Sequence, residues 1–211
     1  MKKIVSVNNW QEYFTHVISK VNGKQGTFVE LGFGHGESAK KIIELMNKNI
    51  LDKRDIWLFD SFKGFPEPTK EDIGPGSRCT GPESKGMWNV AKAPALALDE
   101  AISTTVHVIE GFVEDTLPQS YNGGDIAVLH LDVDLYSAYK TGLNSLFDRV
   151  IDGGVILFDE YKSPLQIVGY PGAAKAVDEF FEQRNIKPDI ELGQFPNKMT
   201  QKFYMIKTNQ N

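Results

Sequence analysis

The chain has 211 residues, 41% hydrophobic and 24% charged. That composition suits one globular α/β domain, expected to cover residues 1–211, and excludes a disordered chain or a disulfide-stapled miniprotein. A net charge of −5 argues against a nucleic-acid partner, which would need a basic surface to neutralise phosphates.

From the N-terminus, Met1-Lys2-Lys3-Ile4-Val5 begins like a signal peptide but meets Asn8-Asn9 before an apolar core forms. No apolar run nears the roughly 18 residues of a membrane span, so no membrane partner is expected. Five short apolar runs follow, at residues 27–31, 56–60, 106–110, 126–132 and 155–159, each ending in Gly or an acid or running up to one. Continuous runs of that length suit strands buried on both faces of a parallel sheet. Helical patterns lie among them. Residues 38–46 set Ile42, Ile43 and Met46 on one stripe, and residues 93–102 open with Pro94. Residues 139–150 carry Leu143, Leu146, Phe147 and Val150 at i, i+3, i+4 and i+7, and residues 173–181 repeat the pattern. The alternation calls for right-handed βαβ crossovers and an open, doubly wound sheet with helices on both faces. Residues 189–192 and 202–207, joined through Pro196-Asn197, read as a hairpin that adds an antiparallel strand.

Residues 61–93 fit no element. They hold five Gly and four Pro, with Phe62, Phe65, Met87 and Trp88 interspersed. A loop of that length is functional or disordered, and its aromatics favour a lid. It also carries Cys79, the single cysteine, so cysteine builds no framework and a reducing, cytoplasmic setting is expected.

Three constellations carry chemistry. Glu30-Leu31-Gly32-Phe33-Gly34-His35-Gly36-Glu37-Ser38 joins the first strand to the first helix. Its G-x-G-x-G spacing differs from the G-x-G-x-x-G that cradles a dinucleotide pyrophosphate. An acid two residues before Gly32 suits a cationic amine better than a diphosphate. His35 is read as a solvent-facing turn residue. Asp60 ends the second strand, where a carboxylate can accept both hydroxyls of a ribose; a helix cap or turn former is the competing reading. Asp132, Asp134, Asp159 and Glu160 fall at the carboxyl ends of the fourth and fifth strands, the edge where such folds bind ligands. Converging acids repel unless a cation neutralises them, and hard oxygen donors favour Mg²⁺, Ca²⁺ or Mn²⁺ over zinc. Separate caps and solvated loop acids are the alternative. His130, two residues before Asp132, is read as a packed core histidine.

The matching continues through Phe59-Asp60-Ser61-Phe62-Lys63-Gly64-Phe65-Pro66, then Glu110-Gly111-Phe112 with Thr116-Leu117-Pro118, and Leu129-His130-Leu131-Asp132-Val133-Asp134-Leu135-Tyr136. It ends with Gly153-Gly154-Val155-Ile156-Leu157-Phe158-Asp159-Glu160-Tyr161 and Pro171-Gly172-Ala173-Ala174-Lys175-Ala176-Val177. In these ordered motifs, across roughly residues 25 to 207, the sequence resembles the class I S-adenosylmethionine-dependent methyltransferases. More narrowly it resembles the macrocin O-methyltransferase family, the sugar methyltransferases of macrolide and aminocoumarin biosynthesis. The resemblance implies a Rossmann-like seven-stranded sheet with an antiparallel last strand, S-adenosylmethionine as cofactor and Mg²⁺ as metal. It implies Glu30, with Gly32 and Gly34, at the methionyl amine, Ser38 at its carboxylate, Asp60 and Ser61 at the ribose, and Gly111 and Phe112 at the adenine. It assigns the metal to Asp132, Asp159 and Glu160, with Asp132 also a candidate general base. The family often shows two Asp in a row at the fifth strand, where this chain has Asp159-Glu160; the longer side chain either reaches the metal or leaves a water in its place. Tyr136 and Tyr161 are candidates for the acceptor wall, with packing the alternative. The expected partner is a small-molecule acceptor, a sugar or polyol, and a homo-oligomer stays open. Two other classes compete: a nicotinamide-dependent oxidoreductase, against which the glycine spacing and acid cluster argue, and a non-catalytic nucleotide-binding module, which would not need Asp132, Asp159 and Glu160.

Overall fold

The computed structural model describes residues 4–98, 104–162, 169–196 and 201–208. Its strands are β1 (Ile4–Ser6), β2 (Thr27–Leu31), β3 (Ile56–Asp60), β4 (Val106–Glu110), β5 (Ile126–Leu131), β6 (Val150–Phe158), β7 (Ile190–Gln194) and β8 (Gln201–Ile206). Its helices are α1 (Trp10–Ile18), α2 (Glu37–Asn47), α3 (Ala93–Leu96), α4 (Val113–Ser120), α5 (Tyr136–Leu146) and α6 (Pro171–Gln183).

One sheet has the order β1-β7-β8-β6-β5-β2-β3-β4. β8 runs antiparallel to β6 and β7, and the other pairs are parallel. The chain winds outward from β2 through β3 to β4, then restarts at β5 on the other side of β2. The strand order therefore reverses between β2 and β5, where folds of this kind open a ligand crevice at the carboxyl edge.

Every residue of β2 and of β5 is buried, so each strand feeds both faces of the sheet by simple alternation. Val29, Leu31, Leu129 and Leu131 pack with residues of α4, α5 and α6. Phe28, Val128 and Leu58 pack with α1 and α2 on the opposite face.

The sheet has eight strands where seven were expected. The additional one, β1, is three residues long, largely exposed, and lies at the edge beside β7; so short a segment carries no apolar run. Two helices were also not anticipated. α1 is capped by Asn9, whose side chain accepts from the Glu12 N–H at 2.8 Å, and it buries Tyr13, Phe14, Val17 and Ile18. α4 contains Pro118, which lowers helix propensity by about 3 kcal/mol; Val113 and Leu117 bury against the core and outweigh it. α5 starts at Tyr136 and ends at Leu146, and Val150 opens β6 instead of closing the helix. Residues 99–102 of the second expected helix and Asn197 of the hairpin loop lie outside the described residues. Among the described residues no helix is long and apolar enough to cross a membrane.

Before Ala93, which opens α3, residues 61–92 contain only a 3₁₀ turn at Pro82–Ser84 and an isolated bridge between Ile73 and Cys79. They are nonetheless tied down. The Phe65 N–H donates to the Met87 carbonyl at 2.8 Å, and the Tyr136 N–H donates to the buried Asp72 carboxylate at 2.7 Å. Phe65, Cys79, Leu135 and Tyr170 form a small core of their own, and burial pushes the Cys79 thiol up to about 11.

Candidate active site

The glycine turn between β2 and α2 is shaped by close approach. Gly32 has φ +89°, and a Cβ there would sit 1.8 Å from the Asp132 carbonyl oxygen. Only glycine lets the end of β2 pass so near the end of β5. Gly34 has φ +51° with open space where a side chain would stand, so its backbone can meet a ligand directly. Asp60, at the end of β3, holds this turn. Its Oδ2 accepts from the Phe33 N–H at 2.8 Å and the Gly34 N–H at 3.2 Å, and its Oδ1 accepts from the Phe62 N–H at 2.7 Å.

Glu30 is fully buried on β2. Its Oε1 accepts from the Ser38 hydroxyl and lies 2.8 Å from His130 Nδ1, while its buried Oε2 has no partner among the described residues. Glu30 and Ser38 thus bond to each other, and neither lines the cavity described below. Gly111 also stays outside it, packed with φ +139° against Thr116.

The acids converge as the strand order requires. β5 and β6 pair with Leu131 opposite Phe158. The ladder then runs past the strand ends, through Asp132 N–H to the Leu31 carbonyl at 2.9 Å and Asp159 N–H to the Leu131 carbonyl at 3.0 Å. His130, Asp132 and Asp159 have ligand-type atoms that all lie within 4.8 Å of one another. Glu160 is outside that group; its carboxylate accepts from the Tyr139 hydroxyl at 2.6 Å. Asp134 takes the left-handed conformation, φ +58°.

Among the described residues, two cationic side chains face Asp159. Lys202, from β8, donates to the Asp159 carboxylate and, at 3.3 Å, to the Asp159 backbone carbonyl. His130 stands between Glu30 at 2.8 Å and Asp159 at 4.0 Å. Burial opposes its charge, but the bonds to Asp159 and Glu30 outweigh it and push the imidazole up to about 10. His130 is packed in the core as read, buried on β5 and edge-on to Phe14, and it also stands with Lys202 as counter-charge inside a cluster read from sequence as acids alone. Burial alone would raise Asp159, yet Lys202 and His130 hold it below the ordinary carboxylate range. Burial and then the charge of Asp159 push Asp132 up to about 7. Asp134 and Glu160 are raised as well, by burial first and neighbouring acids second. Among the described residues the carboxyl groups at this edge outnumber Lys202, His130 and Arg78, the cations that act on them.

A cavity of about 300 Å³ connects the two ends. Gly32, Gly34, Asp60, Ser61 and Phe112 line one part, and Asp132, Asp134, Asp159 and Glu160 the other. Residues 61–93 supply Phe65, Pro66, Arg78, Trp88 and Val90 to its wall, and Trp88 Nε1 donates to the Tyr170 hydroxyl at 2.8 Å. His35, given no role from sequence, also lines it. Tyr136 and Tyr161 do not: their hydroxyls donate to Glu179 and Asp178, and Tyr170 stands at the wall instead.

The family model described as macrocin-O-methyltransferase (TylF) matches residues 6–194. A 4'-O-methyltransferase of Streptomyces olivaceus, described for 8-demethyl-8-(2,3-dimethoxy-α-L-rhamnosyl)-tetracenomycin C, is 29% identical over 143 residues, or 66% of this chain and 54% of that protein. The demethyldecarbamoylnovobiocin O-methyltransferase of Streptomyces niveus is 25% identical over 173 residues, or 80% of this chain and 63% of that one. The chain therefore spans between half and two thirds of the length of these curated relatives. The solved O-methyltransferase NovP shares the fold, with a TM-score of 0.74 and 24% identity, covering 94% of this chain and 79% of NovP. With a match that runs from the first strands through the acid edge to β7, the chain belongs to the macrocin O-methyltransferase family.

Proposed function

We propose that the chain transfers a methyl group from S-adenosylmethionine to a hydroxyl of a sugar or other polyhydroxylated small molecule, with Mg²⁺ at the acid edge. The observation that carries this reading is the single cavity joining the glycine turn and Asp60 to Asp132, Asp134, Asp159 and Glu160. A rhamnosyl group in the described substrate of the Streptomyces olivaceus relative supports a sugar acceptor.

The residues fit both groups. The open face of Gly34 admits a ligand to the backbone, while Glu30 keeps a partnerless Oε2 off the cavity wall. S-adenosylmethionine supplies an electrophilic methyl on its sulfonium. A carboxylate has about four acceptor sites, so Asp60, with three N–H donors, keeps capacity for a ribose hydroxyl. Ser61 stands beside it, and Phe112 and Val113 give an apolar wall for the adenine. At the other end Asp132 and Asp159, with Glu160 on the same wall, would hold a divalent ion, which supplies Lewis acidity and a template for two adjacent hydroxyls. Asp132, on the cavity wall, is the carboxylate placed to accept the proton of the attacking hydroxyl. The remaining task is positioning, with Phe65, Trp88 and Val90 keeping water out.

Methyl transfer from labelled S-adenosylmethionine to a panel of rhamnosides tests the reading. Label is expected in glycosides with a free vicinal diol and not in those with both hydroxyls blocked. A panel of sugars and polyols in which none is labelled would contradict it.

Residues 61–93 act in this reading as a lid that closes on the filled cavity. Limited proteolysis should cut the segment in the free protein and spare it once S-adenosylhomocysteine, the demethylated product, is bound. Equal cutting with and without that ligand would count against a lid.

A further inference from the structure

The acid edge carries an ammonium that neither the family match nor the sequence motifs account for. Lys202 lies beyond residues 6–194, which the family model covers. It sits on β8, next to β6 in the sheet, and reaches the carboxylate and the backbone carbonyl of Asp159 together. Its side chain is 11% exposed and that of Asp159 14%, so the pair is largely withdrawn from water and little screened.

A divalent ion shared by Asp132 and Asp159 would need the carboxylate that Lys202 already holds. It would also bring two positive charges within a few ångströms of a third. We propose that Lys202 is a built-in counter-cation that competes with the divalent ion for Asp159, making this a site of lower divalent affinity than its carboxylate count implies. The inference rests on the metal reading given above. It makes Lys202 a positioning residue: it holds the Asp159 carboxylate in place, and it sets how readily the ion binds and leaves.

The test is direct binding of Mn²⁺, followed by electron paramagnetic resonance of the free ion, with S-adenosylhomocysteine saturating. Wild type is compared with Lys202→Met, which keeps an apolar stem, and Lys202→Arg, which keeps the charge. Lys202→Gln is a second neutral variant should the Met variant not fold, and binding of S-adenosylhomocysteine reports the fold of each. The neutral variants are expected to bind Mn²⁺ at least about tenfold more tightly than wild type, because a like charge is removed from a low-dielectric site. Lys202→Arg should stay near wild type. Equal or weaker Mn²⁺ binding by the neutral variants would overturn the competition while leaving the metal reading intact. No Mn²⁺ binding by any of these proteins would overturn both.

Discussion

Asp60→Ala is expected to lower affinity for S-adenosylhomocysteine by about a hundredfold or more. The Asp60 carboxylate accepts three backbone N–H groups, from Phe33, Gly34 and Phe62. Hydrogen bonds to a charged acceptor contribute about 1.5–3 kcal/mol each, and about 1.4 kcal/mol is a factor of ten in affinity. Removing the carboxylate therefore loosens the glycine turn and also removes the acceptor for the ribose hydroxyls. Asp60→Asn separates the two effects in part, since the amide keeps one acceptor oxygen but turns an NH₂ toward groups that donate. It should fall between wild type and the alanine variant. Calorimetric titration checks the order, and an unchanged affinity in Asp60→Ala would remove Asp60 from the binding site.

Asp132→Asn should reduce methyl transfer by about a thousandfold or more, with affinity for S-adenosylhomocysteine changed only a few-fold. Loss of a general base alone lowers rates by about 10²–10⁴, and this substitution also removes a charged donor from the acid edge. The side chain makes no bond to the glycine turn or to Asp60, and the Gly32 contact is with the Asp132 backbone, so the cofactor end should stand. Excess chelator should have the same selective effect on wild type: transfer lost, product cofactor still bound. Full activity in chelator, or in the Asn variant, would make these acids structural.

The sheet was legible in the sequence wherever a strand is buried on both faces. Residues 27–31 and 56–60 were delimited as the structure has them, because an unbroken apolar run bounded by Gly or an acid has little else to be. Residues 106–110 were delimited as well although β4 is a half-exposed edge strand, whereas β6 begins five residues before the run read at 155–159. β1 buries too little to leave a pattern. α1 carried a readable signal in Asn9 followed three residues later by Glu12, ahead of Tyr13, Phe14, Val17 and Ile18, but the same asparagines also served to end a signal-like stretch.

At the site, the residues that came from strand ends were legible, since topology alone brings Asp60, Asp132 and Asp159 to one edge. What could not be read was which side chains bond to one another once there. Glu30, Ser38 and His130 are close because β2 pairs with β5, with Glu30 opposite His130, and nothing in local spacing announces that pairing. Lys202 was equally hidden, because it meets Asp159 only through the pairing of β8 with β6. A lysine heading the apolar run Phe203-Tyr204-Met205-Ile206 was the one hint.

Calorimetric titration of the wild-type chain with S-adenosylhomocysteine, and separately with NAD, tests the central claim most directly, because it needs no knowledge of the acceptor. Saturable binding of one S-adenosylhomocysteine per chain, with no heat from NAD, is the predicted result. No heat from S-adenosylhomocysteine at millimolar concentration, or saturable binding of NAD in its place, would contradict the assignment of the glycine turn, Glu30 and Asp60 to an S-adenosyl ligand.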